Sequence, residues 1–500
     1  MPASRRQDLL APSLIFIGMT LAVLSSLGAP LVPRIADTYQ VSLSDAQWSL
    51  TITLLVGAVA TPVMGRLGDG PHRRAVTLTS MAAVLAGGLL AALPLGFGFL
   101  VTGRALQGVG AGLAPLAIAT ARDALPLERS RPTLAMLSIT TAAGVGLGYP
   151  LTGLITQDSG IRAAFWFGTA ISAAALAVAV VVLPPSDHLR RRPLDAVGAL
   201  LLTAPVTGLL LTLSEGGTGG WTSPRTLALL GGSLLLLAGW AGHELRTRHP
   251  LVNLRLLRNR SVLAADLLVL VAGIGMYLLM SMVTRFAQTP VAAGYGFGAS
   301  VAVTGLILIP FSLASIAAGK LALRLTRRLS LRLVMGLGCG VSLVSMAGFG
   351  LAHDSLWELF LAMGVSGLGI GITFATMPAL IVQAVPAHEM GSAISFNQLL
   401  RCLGYAAGSA LSATVLQAHT SSGHTLPSAG GYQAGALLGS AVWVITIVMA
   451  ALLPQRQHHE GDTPAAGQDR AMDSAVGSPA YEASTSQRLG APRHPMKKAS

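Results

Sequence analysis

Apolar stretches near or above 18 residues, parted by short polar segments, recur along the chain from about residue 11 to residue 454. A hydrocarbon core about 30 Å thick is crossed by about 20 residues of helix at 1.5 Å rise each, so the repeat length itself predicts membrane spans. They fall at about 11–33, 48–65, 76–94, 98–121, 134–156, 162–184, 196–214, 226–243, 261–282, 300–322, 332–352, 356–382, 391–416 and 433–454. The pattern is that of an all-α integral membrane chain with about fourteen transmembrane helices. The first run is too long for the core of a signal peptide and reads as an uncleaved helix. An even number of spans puts both termini on one side.

The loops give a separate check, because Lys and Arg accumulate on the cytoplasmic side of short loops. Segments on the side of the termini carry 22 basic residues, and the opposite side carries four, Arg34, Arg162, Arg225 and Arg285. A missed or invented helix in the middle would scramble this asymmetry. Number and orientation therefore support each other, and the expectation is a multi-pass protein of the inner (plasma) membrane with both termini cytoplasmic.

Composition narrows the class further. With 52% hydrophobic and 11% charged residues and a mean hydropathy of +0.65, a chain of 500 residues is too apolar to be soluble. The net charge of +13 is dispersed between the spans rather than gathered on a polar domain, which argues against nucleic acid as a partner. Cys339 and Cys402 fall in separate spans, so neither a disulfide nor a thiol metal site is expected. No nucleophile with a recognisable base, no phosphate-binding glycine loop and no His/Cys cluster appears, so enzyme chemistry and cofactors are not expected; His458 and His459 lie in a segment, 455–500, whose composition predicts disorder.

Polar groups inside the spans are the candidate functional residues. Arg104, Gly108, Ala111 and Pro115 share one helix face. An arginine at the centre of a span costs roughly 2.5–3.5 kcal/mol on translocon scales, so Arg104 either faces a cavity or partner or, lying only some six residues into its helix, snorkels to the interface. Asn397, Arg401, Gly404 and Gly408 share another face with Gln398 alongside, and Arg401 sits roughly 15 Å deep, where snorkelling fails. Asp266 is the one carboxylate well inside a predicted span. It is either the buried acceptor for Arg401 or an inner-leaflet residue that reaches interfacial water. Thr140, Gly144, Gly148 and Thr152 form a small-residue stripe that suits close helix packing. The segment from His243 to Arg260 alternates basic and aliphatic residues, as an amphipathic strip at the interface or a solvated connector would.

Between the second and third spans lies Gly65–Arg74, reading GRLGDGPHRR, a polar hinge with the glycine and proline a tight turn needs. It has an echo at Gly319–Arg328, GKLALRLTRR, which matches at Gly319, Leu321, Arg327 and Arg328 and has Leu323 where the first copy has Asp69. At a shift near 260, Gly108, Gly110 and Gly112 meet Gly367, Gly369 and Gly371, and Gly144 and Gly148 meet Gly404 and Gly408. Such a parallel repeat predicts two six-helix halves with room for two extra helices between them. The loop pattern G-x-L-x-D-x-x-x-R-R resembles that of major facilitator superfamily transporters. The run from Arg104 resembles their fourth-helix R-x-x-x-G-x-G-x-G motif, and Gly144, Gly148, Pro150 and Gly153 resemble their fifth-helix antiporter motif, with Tyr149 where a proline is usual. The first helix lacks the acid typical of multidrug members with fourteen helices, its stretch reading Leu24-Ser25-Ser26-Leu27-Gly28-Ala29-Pro30.

The resemblance implies a major facilitator fold with an N-terminal half at 1–184, two extra helices and connector at 185–260, a C-terminal half at 261–454 and the tail beyond. It implies a secondary transporter of the drug:proton antiporter branch, exporting a small amphipathic compound (drug, antibiotic or metabolite) by alternating access. Its partners would be substrate, protons and lipid, with no cofactor but the proton gradient, and the chain would be monomeric. Gly65, Asp69, Arg73 and Arg74 would form a conformational latch. Arg104, Asp266, Asn397 and Arg401 would line the proton or substrate pathway, and Gly144, Gly148, Pro150 and Gly153 would be helix-packing positions. An importer or facilitator is the alternative, and a receptor or regulator without transport a further one.

Overall fold

The computed structural model describes residues 3–26, 31–41, 43–68, 70–185, 195–385, 389–421 and 426–452. Asp69 and the tail at 455–500 lie outside the described residues, as do the expectations attached to them. Among the described residues the chain forms sixteen α-helices and no strand. A backbone in hydrocarbon has no water to bond, so helices that satisfy every N–H and C=O internally are the form this composition dictates.

The N-terminal helices are α1 (Ala3–Ser26), the short α2 (Val32–Tyr39), α3 (Leu43–Gly68), α4 (Arg73–Ala92), α5 (Phe97–Gly108) and α6 (Leu113–Ala124). α5 and α6 are one rod with a tightened 3-10 turn at Val109–Gly112, where glycines alternate along the chain. α7 (Leu127–Val182) is a single assigned helix, but Gly160 at φ 77° breaks it in the region where two spans were expected to meet. Only a residue without a Cβ adopts that conformation at no cost, so the connection shrinks to one glycine. Next come α8 (Ala196–Gly219), α9 (Pro224–Arg246), α10 (Arg260–Gln288), α11 (Val301–Ile307), α12 (Ile309–Leu325), α13 (Leu331–Leu351), α14 (Leu356–Ala384), α15 (Met390–Ala418) and α16 (Ala429–Ala451).

Eleven helical stretches among the described residues are long and apolar enough to cross a bilayer, and Asp8–Leu24 is a shorter apolar helix. The expectation of about fourteen differs from eleven for local reasons. α5 and α6 are 12 residues each once the 3-10 turn divides them, and the eleven are counted over the described residues alone. Two expected boundaries also move. The expected first span, 11–33, is described as a helix to Ser26 and as a separate short helix from Val32. α3 runs on to Gly68, so Gly65 is inside a helix and not part of the hinge, because no residue of 65–68 forbids helical geometry.

α1 packs along α7, α4 along α5 and α7, α10 along α15, α13 along α14 and α16, and α12 along α14. α8 and α9 pair with each other, and α8 also rests on α3 and α15. Contacts between the N-terminal and C-terminal helices run through α3 with α15 and through α7 with α11, α12 and α14. Small residues decide where helices touch. A Cβ on Gly87 would lie 2.5 Å from the Gly103 carbonyl oxygen and one on Gly103 the same distance from that of Gly87, so α4 and α5 are in backbone contact there. Gly65 approaches α15 closely enough that its Cβ would meet the Gly391 carbonyl at 2.7 Å.

These contacts generate a stability prediction. Gly103→Val should destabilise the fold by about 1–3 kcal/mol through overpacking, read as a lower thermal midpoint in detergent. Gly340→Ala, at a position facing open space, should leave the midpoint unchanged or raise it. Equal midpoints for Gly103→Val and wild type would contradict the α4–α5 contact.

Candidate functional site

The hinge between α3 and α4 is short. α3 ends at Gly68, Pro71 and His72 form a turn, and α4 starts at Arg73. Arg73 is buried: its Nε donates to the Gly68 carbonyl at 2.5 Å, and its Nη1 to Asp123 Oδ2 of α6 at 2.8 Å. Arg74 donates through Nη2 to the Val180 carbonyl at 2.9 Å, near the end of α7. The hinge arginines therefore reach two further helix ends. Asp123, which sequence reasoning passed over as one more loop charge, is the carboxylate bonded to Arg73 among the described residues.

Arg104 is fully buried, which excludes snorkelling. Its Nη1 donates to Gln107 Oε1 at 2.7 Å and its Nε to the Ser49 carbonyl of α3 at 3.3 Å. Thr53 Oγ1 in turn lies 3.0 Å from the Arg104 carbonyl, so the exchange joins α3 and α5 from both sides. Nη2 of Arg104 has no hydrogen-bond partner among the described residues. That leaves one charged donor inside the bundle for an acceptor that the described residues do not supply.

Asp266 is buried on α10, and its Oδ1 accepts from Asn397 Nδ2 of α15 at 2.8 Å. Arg401 is one turn further along α15. Its Nη1 donates to the Ser138 carbonyl of α7 at 3.1 Å, its Nη2 to Gln398, and its guanidinium carbon sits 5.2 Å from the centre of the Phe374 ring of α14. No ion pair joins Arg401 to Asp266 among the described residues. The expected carboxylate acceptor is replaced by a carbonyl, an amide and an aromatic face, because Asn397 occupies the turn that faces Asp266.

The α10–α15 seam continues past that pair. A Cβ on Gly273 would lie 3.3 Å from Gly404 Cα, and Tyr277 stacks on Tyr405 with ring centres 4.4 Å apart. In the fifth-helix motif, Gly144 lies against Ala22 of α1, Gly148 and Gly153 are buried, and Pro150 meets α11, where a Cβ on Gly305 would be 2.7 Å from Pro150 Cα. Gly144 and Pro150 thus serve two different neighbours.

Two further features escaped the sequence reading. Gln107 and Gln398 bond arginines three residues away, in mirrored order, and the i, i+3 spacing was there to be read. Glu244, at the end of α9, is 1% exposed and its Oε2 accepts from Val252 N at 3.3 Å, while His243 Nε2 lies 3.0 Å from Asp195 Oδ2. Its place in the polar run HELRTRH made it look like a surface residue. Its signal was that it is the one acid in a basic segment ahead of the apolar pair Leu251-Val252. No group of His, Cys, Asp or Glu that could hold a metal ion occurs among the described residues.

The sequence pattern described as Major Facilitator Superfamily matches residues 14–409, with a second match over 267–489. The chain belongs to the Major Facilitator Superfamily. Among its relatives, an uncharacterized MFS-type transporter of Mycobacterium tuberculosis is 28% identical over 81% of the chain. The matched region spans 59% of that relative's length. The tetracenomycin C resistance and export protein of Streptomyces glaucescens is 26% identical over 82% of the chain and 76% of its own. The crystal structure of the human organic anion transporter MFSD10 (TETRAN) superposes with a TM-score of 0.63 at 16% identity, covering 90% of this chain and all of that one, which shows a shared fold.

The Arg73–Asp123 bond is open to a double-mutant cycle. Arg73→Gln and Asp123→Asn should each lower the thermal midpoint, and the double variant should lose less than the sum, with a coupling of about 0.5–3 kcal/mol. Strict additivity would show that the bond contributes no coupling.

Proposed function

We propose that this transporter is a fourteen-helix proton-driven exporter of a small amphipathic compound, working by alternating access between two six-helix halves. On this reading the fourteen spans are the eleven apolar stretches together with α1, the α5–α6 rod and the part of α7 before Gly160. The halves are residues 1–184 and 261–454, and 185–260 is an inserted pair with its connector. Exposed leucines such as Leu200 and Leu235 on α8 and α9 suit a pair that faces lipid. The 22-to-four split of basic residues supports cytoplasmic termini in the inner (plasma) membrane. The pairing of α1 with α7, and the contacts of α7 with α11 and α12, suit halves that rock against each other.

The observation that carries the reading is Asp266, a titratable group buried in a membrane helix and bonded across a helix seam to Asn397. Ionisable residues at such depth mark ion or substrate pathways. As a carboxylate, Asp266 accepts the Asn397 N–H. Once protonated it is a poorer acceptor, so a proton arriving from outside loosens the α10–α15 seam and its departure inside restores it. Arg104, with an unengaged Nη2, and Arg401 are fixed positive charges that would meet an acceptor on the substrate. Asp69, Arg73 and Arg74 at the inner hinge, with Gly65 one turn before it where α3 meets α15, would latch one conformation, and Gly144, Gly148, Pro150 and Gly153 would set the close packing of α7. Export is supported by the Streptomyces glaucescens relative, a tetracenomycin C resistance and export protein. Uptake or facilitated diffusion is the second reading, favoured by Tyr149 at the position where the antiporter motif carries proline and by the missing acid in the first helix.

Transport of a panel of dyes and antibiotics into everted vesicles, with and without a proton uncoupler, separates the two. Asp266→Asn should abolish uphill export while retaining downhill substrate exchange, and wild-type accumulation by that variant would remove Asp266 as the coupling site. In a background lacking Cys339 and Cys402, an impermeant thiol reagent applied to intact cells should label Thr222→Cys and spare Ser330→Cys. The opposite pattern would overturn the orientation.

A further inference from the structure

The segment between α9 and α10 folds as a strap whose apolar residues turn inward and whose arginines turn outward. Leu251 and Val252 are buried, and Asn253 starts a 3-10 turn at Leu254–Arg258 by accepting from Arg255 N at 3.2 Å. Three bonds pin it to neighbouring helices. Ser392 Oγ donates to the Leu251 carbonyl at 2.9 Å, Asn253 Nδ2 to Glu389 Oε2 at 2.6 Å beside the start of α15, and Val252 N to Glu244 at the end of α9.

Beneath the strap is a cavity of about 10 Å³, lined by Val252, Asn253, Leu256, Leu257, Asp266 and Phe396 among others. That is about the space one water needs, provided polar groups are there to bind it. Asp266 is the one titratable group in the lining, and Asn253 the one other polar side chain. The charges on the surrounding elements are engaged elsewhere or face outward. Glu244 and Glu389 bond the strap itself, Arg401 bonds Ser138, Arg255 donates to the Leu245 carbonyl at 2.8 Å, and Arg258 and Arg260 are exposed. On its remaining side Asp266 meets Asn397.

We propose that this cavity is the port through which Asp266 releases its proton to the cytoplasm, and that residues 251–258 are the gate over it. The inference rests on the transport reading above, which makes Asp266 the proton site and this face the cytoplasmic one. The carboxylic O–H bond breaks, the proton passes to solvent through the cavity, and the carboxylate left behind takes the Asn397 N–H. Asn253 is a positioning residue: its bond to Glu389 keeps the strap down, so that release waits on strap movement. Leu256 and Leu257 keep the closed port too narrow for bulk water.

The test uses the full-length protein in liposomes, with a pH jump applied on the side that carries Arg255 and Arg258. The protonated-carboxyl infrared band, assigned to Asp266 by its loss in Asp266→Asn, reports proton exchange without any substrate. Filling the port with Leu257→Trp should slow the band's response about tenfold, a barrier change of about 1.4 kcal/mol, and loosening the strap with Asn253→Ala should speed it. Unchanged rates in both variants would overturn the gate while leaving Asp266 as the proton site. Absence of any band that Asp266→Asn removes would overturn the proton site and the gate together.

Discussion

A charge inside hydrocarbon has to find all of its partners within the helix bundle, and the placement of Arg104 and Arg401 follows from that requirement. Both arginines use a carbonyl of another helix, Ser49 for Arg104 and Ser138 for Arg401. A carbonyl oxygen has two lone pairs and an intrahelical bond occupies one, so a guanidinium can share it without breaking the host helix. Each arginine thus ties two helices together while leaving both intact. The Arg104 tie stays among the N-terminal helices, whereas the Arg401 tie runs from α15 to α7 and links the two parts of the repeat. Any movement of α15 away from α7 must give this guanidinium another acceptor.

The α10–α15 seam shows how polar and steric demands combine. Gly273, Gly404 and Gly408 let two parallel backbones approach until a Cβ would collide with the facing carbonyls. At that separation a short side chain such as Asp266 reaches Asn397 directly, without a long flexible stem. Close packing is therefore a condition of the polar contact. α8 and α9 obey a looser rule, with large leucines turned outward and fewer small residues in tight contact.

Much of the fold was legible because hydrocarbon imposes one simple length and excludes strands, so spans such as 261–282 and 332–352 emerged from apolar runs alone. Boundaries set by backbone detail were not. The sequence parted the spans 134–156 and 162–184 around Gly160, but did not show that this one glycine, among 58, would make the break at positive φ. The burial of Arg401 followed from its depth, whereas Arg104 and Asp266 were left between a buried and an interfacial place, and the partners of all of them were not legible, since choosing among carbonyls, amides and carboxylates requires the rotation of each helix. Ser138 was unreadable as an acceptor because it uses its backbone, and every residue has one. Asp123 and Glu244 were missed for a related reason, lying at helix ends where charge is ordinary and only tertiary packing makes it buried.

The two copies of the repeat do not carry the same chemistry, and the difference bears on how a proton would act. The first copy keeps the acid in its hinge at Asp69, where the second has Leu323. The membrane-embedded acid is in the second part of the chain, on α10. Arginine and glutamine recur in both, as Arg104 with Gln107 and as Gln398 with Arg401, in reversed order along their helices. On the proposed reading, protonation of Asp266 acts first on Asn397, and Asn397 lies one helical turn from Arg401 on the same face of α15. A shift of α15 that follows loss of the Asp266–Asn397 bond is carried to the Ser138 carbonyl of α7 through a rigid turn of helix. One neutralisation within the second half is then enough to disturb a contact between the halves, with no second titrating group in the first.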